Sequence, residues 1–259
     1  MSPSSPSSTA GAKSGPARER FFFIKVMKTA GGTLLQQILA NFERAQVYPY
    51  ERYDPDLQTA NWGIEYLTGL TAERREAIRV FTGHFPFVAV ELLGMELTTI
   101  TILRDPVERT LSYLRHCKRH HEQHRELALE EIYEDPFFNP CFISNHQAKQ
   151  FAFTVEDRPK TYMDVLDIDA QRLELAKANL ARVDVVGLRE RFDDLLGELH
   201  ARYGWAIADV KDRNVSGGES QGVPASFRDR IAADNAADME FYEFAKELCA
   251  QRRPAAVAR

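Results

Sequence analysis

The sequence has few of the features that mark membrane-spanning, secreted or nucleic-acid-binding proteins. No apolar run approaches the roughly 18 residues that cross a bilayer, and the Ser/Pro-rich beginning lacks the apolar segment of a secretory signal. The three cysteines are far apart and form no CxxC pair, which argues against a disulfide framework or a zinc site. The net charge of −5 gives no overall attraction for nucleic acid. We therefore predict a cytoplasmic protein with no membrane anchor and no nucleic-acid partner, in which any anion site is local.

The chain does have enough apolar sequence to build a core. It contains 259 residues, 44% of them hydrophobic, which is typical of one α/β domain or at most two small ones. We predict a disordered Ser/Pro-rich tail at 1–20, because this segment has too little apolar area to offset the entropy of ordering. Residues 21–252 are predicted to form a single domain, followed by a flexible C-terminus at 253–259. The sequence does not indicate an oligomeric state.

Short β-branched and aromatic runs alternate with amphipathic segments along the chain. The predicted strands are 21–26, 79–83, 97–103 and 183–188. The helix after the third strand has a capping-box pattern, with Asp105 as N-cap, Pro106 at its first position and Glu108 at its third. Residues 46–70 are predicted to be irregular or an insertion. The alternation predicts an α/β fold, a mainly parallel sheet flanked by helices on both faces.

The segment KTAGGT at 28–33 lies between a predicted strand and a predicted helix. Such a turn presents free backbone N–H groups and the positive end of the helix dipole. Gly31 and Gly32 allow a close approach by a ligand, and Thr33 adds a hydroxyl donor. Lys28 adds a charge before the glycines, whereas the Walker pattern places its lysine after them. The segment predicts a phosphate-binding loop; the alternative is an ordinary glycine turn with a solvated lysine.

A second candidate anion site follows another strand. Arg104 ends the most β-branched run of the chain, and Ser112 lies eight positions later in the capped helix. Both are expected at the carboxyl edge of the sheet, where open α/β sheets bind ligands. The alternative is an ion-paired arginine and a serine on a helix surface. Two anion sites at two strand–helix junctions predict a nucleotide that carries phosphate at two separated positions.

These two segments resemble those of one enzyme family. FIKVMKTAGGTL is similar to the 5′-phosphosulfate loop of sulfotransferases that use 3′-phosphoadenosine 5′-phosphosulfate (PAPS), and TILRDPVERTLSYLRH is similar to their 3′-phosphate motif. Within that family the order of segments over residues 21–250 resembles the heparan sulfate 2-O-sulfotransferases and related carbohydrate O-sulfotransferases. Met27 stands where the family usually has proline, for which we expect a small loss of rigidity.

The resemblance implies a fold, a reaction and a set of cofactor contacts. The fold would be the P-loop-like sulfotransferase fold, and the reaction would move a sulfuryl group from PAPS to an acceptor hydroxyl on a carbohydrate or small metabolite. The cofactor-binding loop residues it implies are Lys28, Thr29, Ala30, Gly31, Gly32 and Thr33. Lys28 would touch the 5′-phosphate and the bridging oxygen of the leaving group, while Arg104 and Ser112 would hold the 3′-phosphate.

The resemblance also implies a base, and the composition of one loop predicts that it closes over the nucleotide. His84, in the segment TGHF, would take the proton of the acceptor hydroxyl; the alternative is a structural histidine bonded to a loop carbonyl. Arg213 and Ser216, in a Gly/Ser-rich loop, are predicted to close over the nucleotide, with a surface turn as the alternative. No metal is expected, because Lys28 would supply the charge that Mg²⁺ supplies in kinases.

Three further segments have weaker signals. The segment at 115–125, RHCKRHHEQHR, is interpreted by default as a solvated helix face. A metal site is a weaker interpretation, because His120 and His124 lack a third ligand. A third interpretation is a surface that gathers an anionic acceptor. NHQAKQF at 145–151 is a candidate wall of the cleft. Four aromatic residues are candidates for stacking on adenine or a sugar, or else for the core: Tyr48, Tyr50, Tyr53 and Trp62.

Two other functions fit the same pattern. A P-loop kinase or other phosphotransferase would share the architecture, but it needs a lysine after the last glycine and a carboxylate for Mg²⁺. A non-catalytic nucleotide-binding relative would bind adenosine 3′,5′-bisphosphate without turnover. The sequence leaves the identity of the acceptor open.

Overall fold

The computed structural model describes residues 19–209 and 222–252. Within these ranges five strands form one parallel sheet: β1 (Phe21–Ile24), β2 (Val47–Tyr48), β3 (Val80–Gly83), β4 (Thr98–Leu103) and β5 (Val185–Leu188). The strand order is β2-β3-β1-β4-β5, and every neighbouring pair is parallel. The predicted α/β fold with a parallel sheet is confirmed.

Helices connect and cover these strands. In the described part of the chain they are α1 (Gly31–Asn41), α2 (Leu57–Ala60), α3 (Ile64–Thr68), α4 (Ala72–Ala77), α5 (Val88–Leu93), α6 (Pro106–His120), α7 (Leu129–Tyr133), α8 (His146–Ala152), α9 (Ala170–Arg182), α10 (Phe192–Tyr203), α11 (Ala225–Asp234) and α12 (Ala236–Arg252). A π-helical segment, Asn139–Ile143, precedes α8. None of these helices is long and apolar enough to cross a membrane.

The central strand β1 is buried on both faces. Successive side chains of a strand point to opposite sides, so Phe21 and Phe23 pack against α1 and α10. Phe22 and Ile24 pack on the other side against α5, α8, α9 and α12. All four side chains are fully buried. A strand covered on both faces has no polar alternation, which explains the continuous apolar run in the sequence.

The start of α6 confirms one half of the predicted capping box. The Asp105 carboxylate accepts a hydrogen bond of 2.9 Å from the backbone N–H of Glu108. The Glu108 side chain does not return to Asp105, because it pairs with Arg228 of α11 instead. The reciprocal half of the prediction is therefore wrong, since an arginine outcompetes a backbone N–H for that carboxylate.

The prediction of irregular structure or an insertion at 46–70 is wrong for part of this region. This region contains β2, α2 and α3, each between two and five residues long. Elements of that length show no hydrophobic period in the sequence. Val47 and Tyr48 become a strand because they pair in parallel register with β3, so tertiary contacts decide their structure.

The terminal predictions lie largely outside the described residues, which exclude 1–18 and 253–259. Arg20 is described: its guanidinium pairs with Glu76 at 2.7 Å, and its carbonyl accepts a bond from Thr98 at 2.8 Å. Glu19 is also held, because its carbonyl accepts a hydrogen bond of 2.6 Å from Arg79 Nη2. The three cysteines are free thiols, in agreement with the spacing argument.

Candidate functional site

A cavity of about 460 Å³ lies at the carboxyl edge of the sheet. It sits at the topological switch point of the sheet, because β3 lies on one side of β1 and β4 on the other. The predicted site residues that line it are Lys28, Ala30, Gly31, Gly32, His84, Arg104 and Ser112. Three strand ends thus bring both candidate anion sites and the candidate base to one place. We call this space the anion cavity.

The loop between β1 and α1 has an unusual backbone. Lys28 and Ala30 adopt left-handed φ angles of 66° and 76°, which few residues other than glycine do. Such conformations concentrate at functional sites. Ala30 is the N-cap of α1, so Gly31 and Gly32 are its first two residues and their N–H groups have no acceptor within the helix. The loop therefore offers backbone donors to the cavity.

We expect Ala30→Gly to stabilise the protein by up to about 1 kcal/mol. A left-handed conformation costs an L-residue roughly 1–2 kcal/mol, and glycine avoids that cost. Glycine also raises the conformational entropy of the unfolded chain, which offsets part of the gain. Ala178→Gly is the matched control, since Ala178 is exposed inside α9 and its loss should cost about 1 kcal/mol. Urea denaturation measures both. A loss of stability for both variants would contradict the strain at Ala30.

A lysine that the sequence analysis did not single out lies beside this loop. Lys25 follows β1 directly and lines the anion cavity. A Cβ atom on Gly31 would lie 2.8 Å from Lys25 Cγ, so the glycine leaves room for the lysine to cross the start of α1. Burial lowers the pKa of Lys25. The sequence signal that could have identified Lys25 is a charged residue at the end of an apolar strand.

The two threonines of the loop do not line the anion cavity. Thr29 is fully buried, and its hydroxyl donates to the Val26 carbonyl at 2.9 Å. That hydroxyl braces the loop, and the assignment of Thr29 to cofactor binding stays a prediction. Thr33 faces a neighbouring cavity of about 560 Å³ on the other side of the loop. The predicted loop residues Arg213 and Ser216 lie outside the described residues.

Arg104 joins the two anion sites. Its Nη1 donates to the Lys28 carbonyl at 3.3 Å, and Ser112 lies almost buried in the same wall. The buried Gln147 side chain holds the Arg104 backbone by two bonds, of 3.0 Å to its N–H and 2.7 Å from the amide to its carbonyl. The segment 145–151 lines neither the anion cavity nor its neighbours at the loop. It supports Arg104, and the prediction that it forms the cleft wall is wrong.

The anion cavity is strongly electropositive. Its cationic side chains are Lys25, Lys28, Arg104, Arg119 and Arg189. Among the described residues that line it, none has a carboxylate. Since the whole chain has a net charge of −5, this is a local concentration of positive charge, as the sequence analysis required. A partly enclosed cavity with one sign of charge attracts anions more strongly than an open surface does.

The His84 ring is oriented by the backbone of β1. Its Nδ1 lies 2.9 Å from the Lys25 carbonyl oxygen, which can only accept, so Nδ1 bears the proton. In the neutral ring the lone pair is then on Nε2. Its backbone N–H donates to the Asn61 carbonyl at 2.7 Å. Gly83 is required before it, because a Cβ there would lie 2.7 Å from that same carbonyl oxygen.

Its surroundings keep His84 neutral. Burial of the ring, followed by repulsion from Lys25 and Lys28, lowers its pKa to about 3, although the bond to the Lys25 carbonyl opposes this. A lowered pKa means that the neutral, proton-accepting form persists as the pH falls through the usual imidazole range near 6.5. We expect the His84 NMR ring signals of the ligand-free protein not to titrate between pH 5 and 8. A midpoint near 6.5 would contradict this environment.

The histidine-rich segment 115–125 partly faces the anion cavity. His116, Arg119 and His121 line it, and burial together with Lys28 lowers the pKa of His116 to about 4. His120 packs on His116 with ring centroids 4.4 Å apart. No group of three or more potential metal ligands occurs among the described residues. The prediction of a solvated helix face fits Arg119 and His120, which are exposed, whereas His116 and His121 are partly buried.

The arrangement can bind an anion and accept a proton beside it. One wall provides cations and helix N-terminal N–H groups, and the other provides a neutral imidazole with a free lone pair. The chain matches no protein-family model and no curated protein. The geometry and the sequence motifs are therefore the basis for a functional interpretation.

Proposed function

We propose that this protein is a sulfotransferase that transfers a sulfuryl group from PAPS to an acceptor hydroxyl. One observation carries the proposal: the anion cavity joins five cationic side chains from the ends of β1, β4, β5 and α6 to His84 at the end of β3. The sequence resemblance assigns two of these cations, Lys28 and Arg104, to the two phosphates of the donor and assigns His84 the role of the base. The predicted sites thus lie around one cavity of suitable size for part of a nucleotide.

The proposed contacts divide the donor between two walls. The 5′-phosphate would lie at the start of α1, with Lys28 and the N–H groups of Gly31 and Gly32 as donors. Arg104 and Ser112 would hold the 3′-phosphate. Because Arg104 bonds to the Lys28 carbonyl, occupation of one subsite would order the wall of the other.

These groups account for every bond and proton that changes in the proposed transfer step. The acceptor oxygen attacks sulfur as its proton passes to His84 Nε2, and the bond from sulfur to the 5′-phosphate oxygen breaks. Lys28 stabilises the charge on that leaving oxygen. Bound donor offsets the repulsion by Lys25 and Lys28 that lowers the pKa of His84, so His84 becomes a stronger base when the donor is present.

The rival functions make different demands on this site. A Mg²⁺-dependent phosphotransferase needs carboxylates beside the phosphates, and the described residues that line the anion cavity offer none. A non-catalytic relative needs no base at the phosphate cradle, but the bond of His84 to the Lys25 carbonyl fits a base and a structural histidine alike. The lining without carboxylates favours sulfuryl transfer over Mg²⁺-dependent phosphotransfer, and turnover distinguishes a catalytic protein from the non-catalytic relative.

Transfer of labelled sulfate from PAPS to a panel of phenols, alkyl alcohols and sugars tests the proposal. We expect PAPS-dependent product that persists in EDTA. EDTA-sensitive ATP hydrolysis without sulfate transfer would indicate a phosphotransferase. Tight binding of adenosine 3′,5′-bisphosphate without turnover on any acceptor would indicate the non-catalytic relative.

A further inference from the structure

A second cavity, of about 600 Å³, adjoins the anion cavity at His84. Five residues line both spaces: Lys25, Met27, His84, His116 and Tyr162. A molecule in the second cavity could therefore present a hydroxyl to His84 while the donor occupies the anion cavity. We call this space the acceptor cavity.

The wall of the acceptor cavity away from His84 is mainly apolar. It is formed by Leu35, Leu39, Val47, Pro49, Leu57 and Trp62, from α1, β2, α2 and the loops beside them. Leu39 and Leu57 are 40% and 41% exposed. Single exposed leucines are common, but these two face one cavity together with Trp62. An apolar ligand would remove their surface from water.

The positive charge of Arg44 on this wall is already paired within the protein. Of the described residues, Arg44 is the one cation that lines the acceptor cavity but not the anion cavity. It donates to the carbonyls of Val47 at 3.0 Å and Pro49 at 2.7 Å, and it pairs with Glu51 at 3.0 Å. The Tyr50 ring lies 4.6 Å from its guanidinium carbon. These partners hold Arg44 as a brace for the loop, so it is poorly suited to bind an anionic sugar.

The polar groups of the wall are too few for a sugar. Gln58, Asn61 and Thr82 provide its amide and hydroxyl side chains, and Trp62 adds an indole N–H. A carbohydrate has several hydroxyls on each ring, and each one buried against leucine, proline or tryptophan without a partner is costly. A ligand with one hydroxyl and an apolar body avoids that cost.

We propose that the acceptor is a small apolar alcohol or phenol that binds in the acceptor cavity with its hydroxyl at His84. This rests on the proposed sulfotransferase function and narrows its substrate class. The hydroxyl proton passes to His84 and the oxygen forms the new bond to sulfur as the bond from sulfur to the 5′-phosphate oxygen breaks. Adenosine 3′,5′-bisphosphate is the leaving group, and the sulfate ester forms with its apolar body in contact with Leu39 and Leu57.

Calorimetric binding of 4-alkylphenols, from methyl to butyl, to protein saturated with adenosine 3′,5′-bisphosphate tests this proposal. We expect affinity to rise about fourfold for each added methylene, the ratio that follows from about 0.8 kcal/mol per buried CH₂. Leu39→Gln and Leu57→Gln should flatten that series. Leu92→Gln is the matched control, because Leu92 is a 37%-exposed leucine of α5 that does not line the cavity.

The other outcomes distinguish a failure of the apolar-acceptor proposal from a failure of the sulfotransferase proposal. Affinity that is independent of alkyl length, or that is higher for a sugar or an anionic disaccharide, overturns the apolar acceptor. Sulfation of sugars but not of phenols does the same and leaves the sulfotransferase proposal intact. If adenosine 3′,5′-bisphosphate does not bind, the sulfotransferase proposal fails, and the alkylphenol series is then measured on the free protein, where a flat series overturns the apolar cavity as well.

Discussion

Lys28→Ala is expected to slow sulfuryl transfer by about 10²–10³-fold, the usual cost of removing one donor from developing negative charge. Lys28 lies in the anion cavity beside the first residues of α1, where it would stabilise the leaving 5′-phosphate oxygen. Its interaction with the leaving oxygen is strongest in the transition state, so kcat should fall more than donor affinity does. Single-turnover rates with saturating PAPS measure the effect on the chemical step.

The control for this variant is Lys246→Ala. Lys246 is an exposed lysine of α12 that pairs with Glu243 at 2.7 Å, and its removal changes the net charge by the same amount. It should leave the rate unchanged. A Lys28→Ala protein with a near-normal rate would show that the leaving group is stabilised elsewhere, with Lys25 as the next residue to test.

His84→Gln is expected to lower kcat by about 10²–10⁴-fold, the usual contribution of a positioned general base. The glutamine amide has no proton-accepting nitrogen, although it is similar in size and can still bond to the Lys25 carbonyl. Because the ring sits at the junction of the two cavities, the binding of adenosine 3′,5′-bisphosphate should be nearly unchanged. Calorimetry and steady-state rates on the same preparation separate the two effects.

His200→Gln controls for the loss of a histidine bonded to the backbone. The His200 Nδ1 lies 2.9 Å from the Trp205 carbonyl, much as His84 does from that of Lys25, but His200 is in α10 and does not line the anion or acceptor cavity. Its variant should keep full activity. If the His84 and His200 variants behave alike, His84 is only a structural histidine.

Much of the site was predictable because of where charged residues follow strands. Lys25, His84, Arg104 and Arg189 come directly after β1, β3, β4 and β5. In a parallel sheet all carboxyl ends meet at one edge, so the topology places these four side chains together. The sequence analysis used this argument for Arg104 and took His84 from the resemblance. Applied to every predicted strand, the argument would also have found Arg189, whereas the predicted strand at 21–26 extended past Lys25.

The remaining features depend on contacts between distant segments. The inward bond of Thr29 and the support of Arg104 by Gln147 are set by burial and by partners up to 43 positions away. Neither of these contacts produces a periodic pattern in the sequence. The acceptor cavity likewise depends on β2 and α2, whose shortness hid them from pattern analysis.

The affinity of the protein for adenosine 3′,5′-bisphosphate, compared by calorimetry with its affinity for adenosine 5′-monophosphate, tests the account most directly. If Arg104 and Ser112 hold a 3′-phosphate, the bisphosphate should bind about 100-fold more tightly, since hydrogen bonds to charged groups contribute about 1.5–3 kcal/mol each. Arg104→Gln should remove most of that difference. Equal affinities for the two nucleotides in the unaltered protein, or no binding of either, would contradict the account.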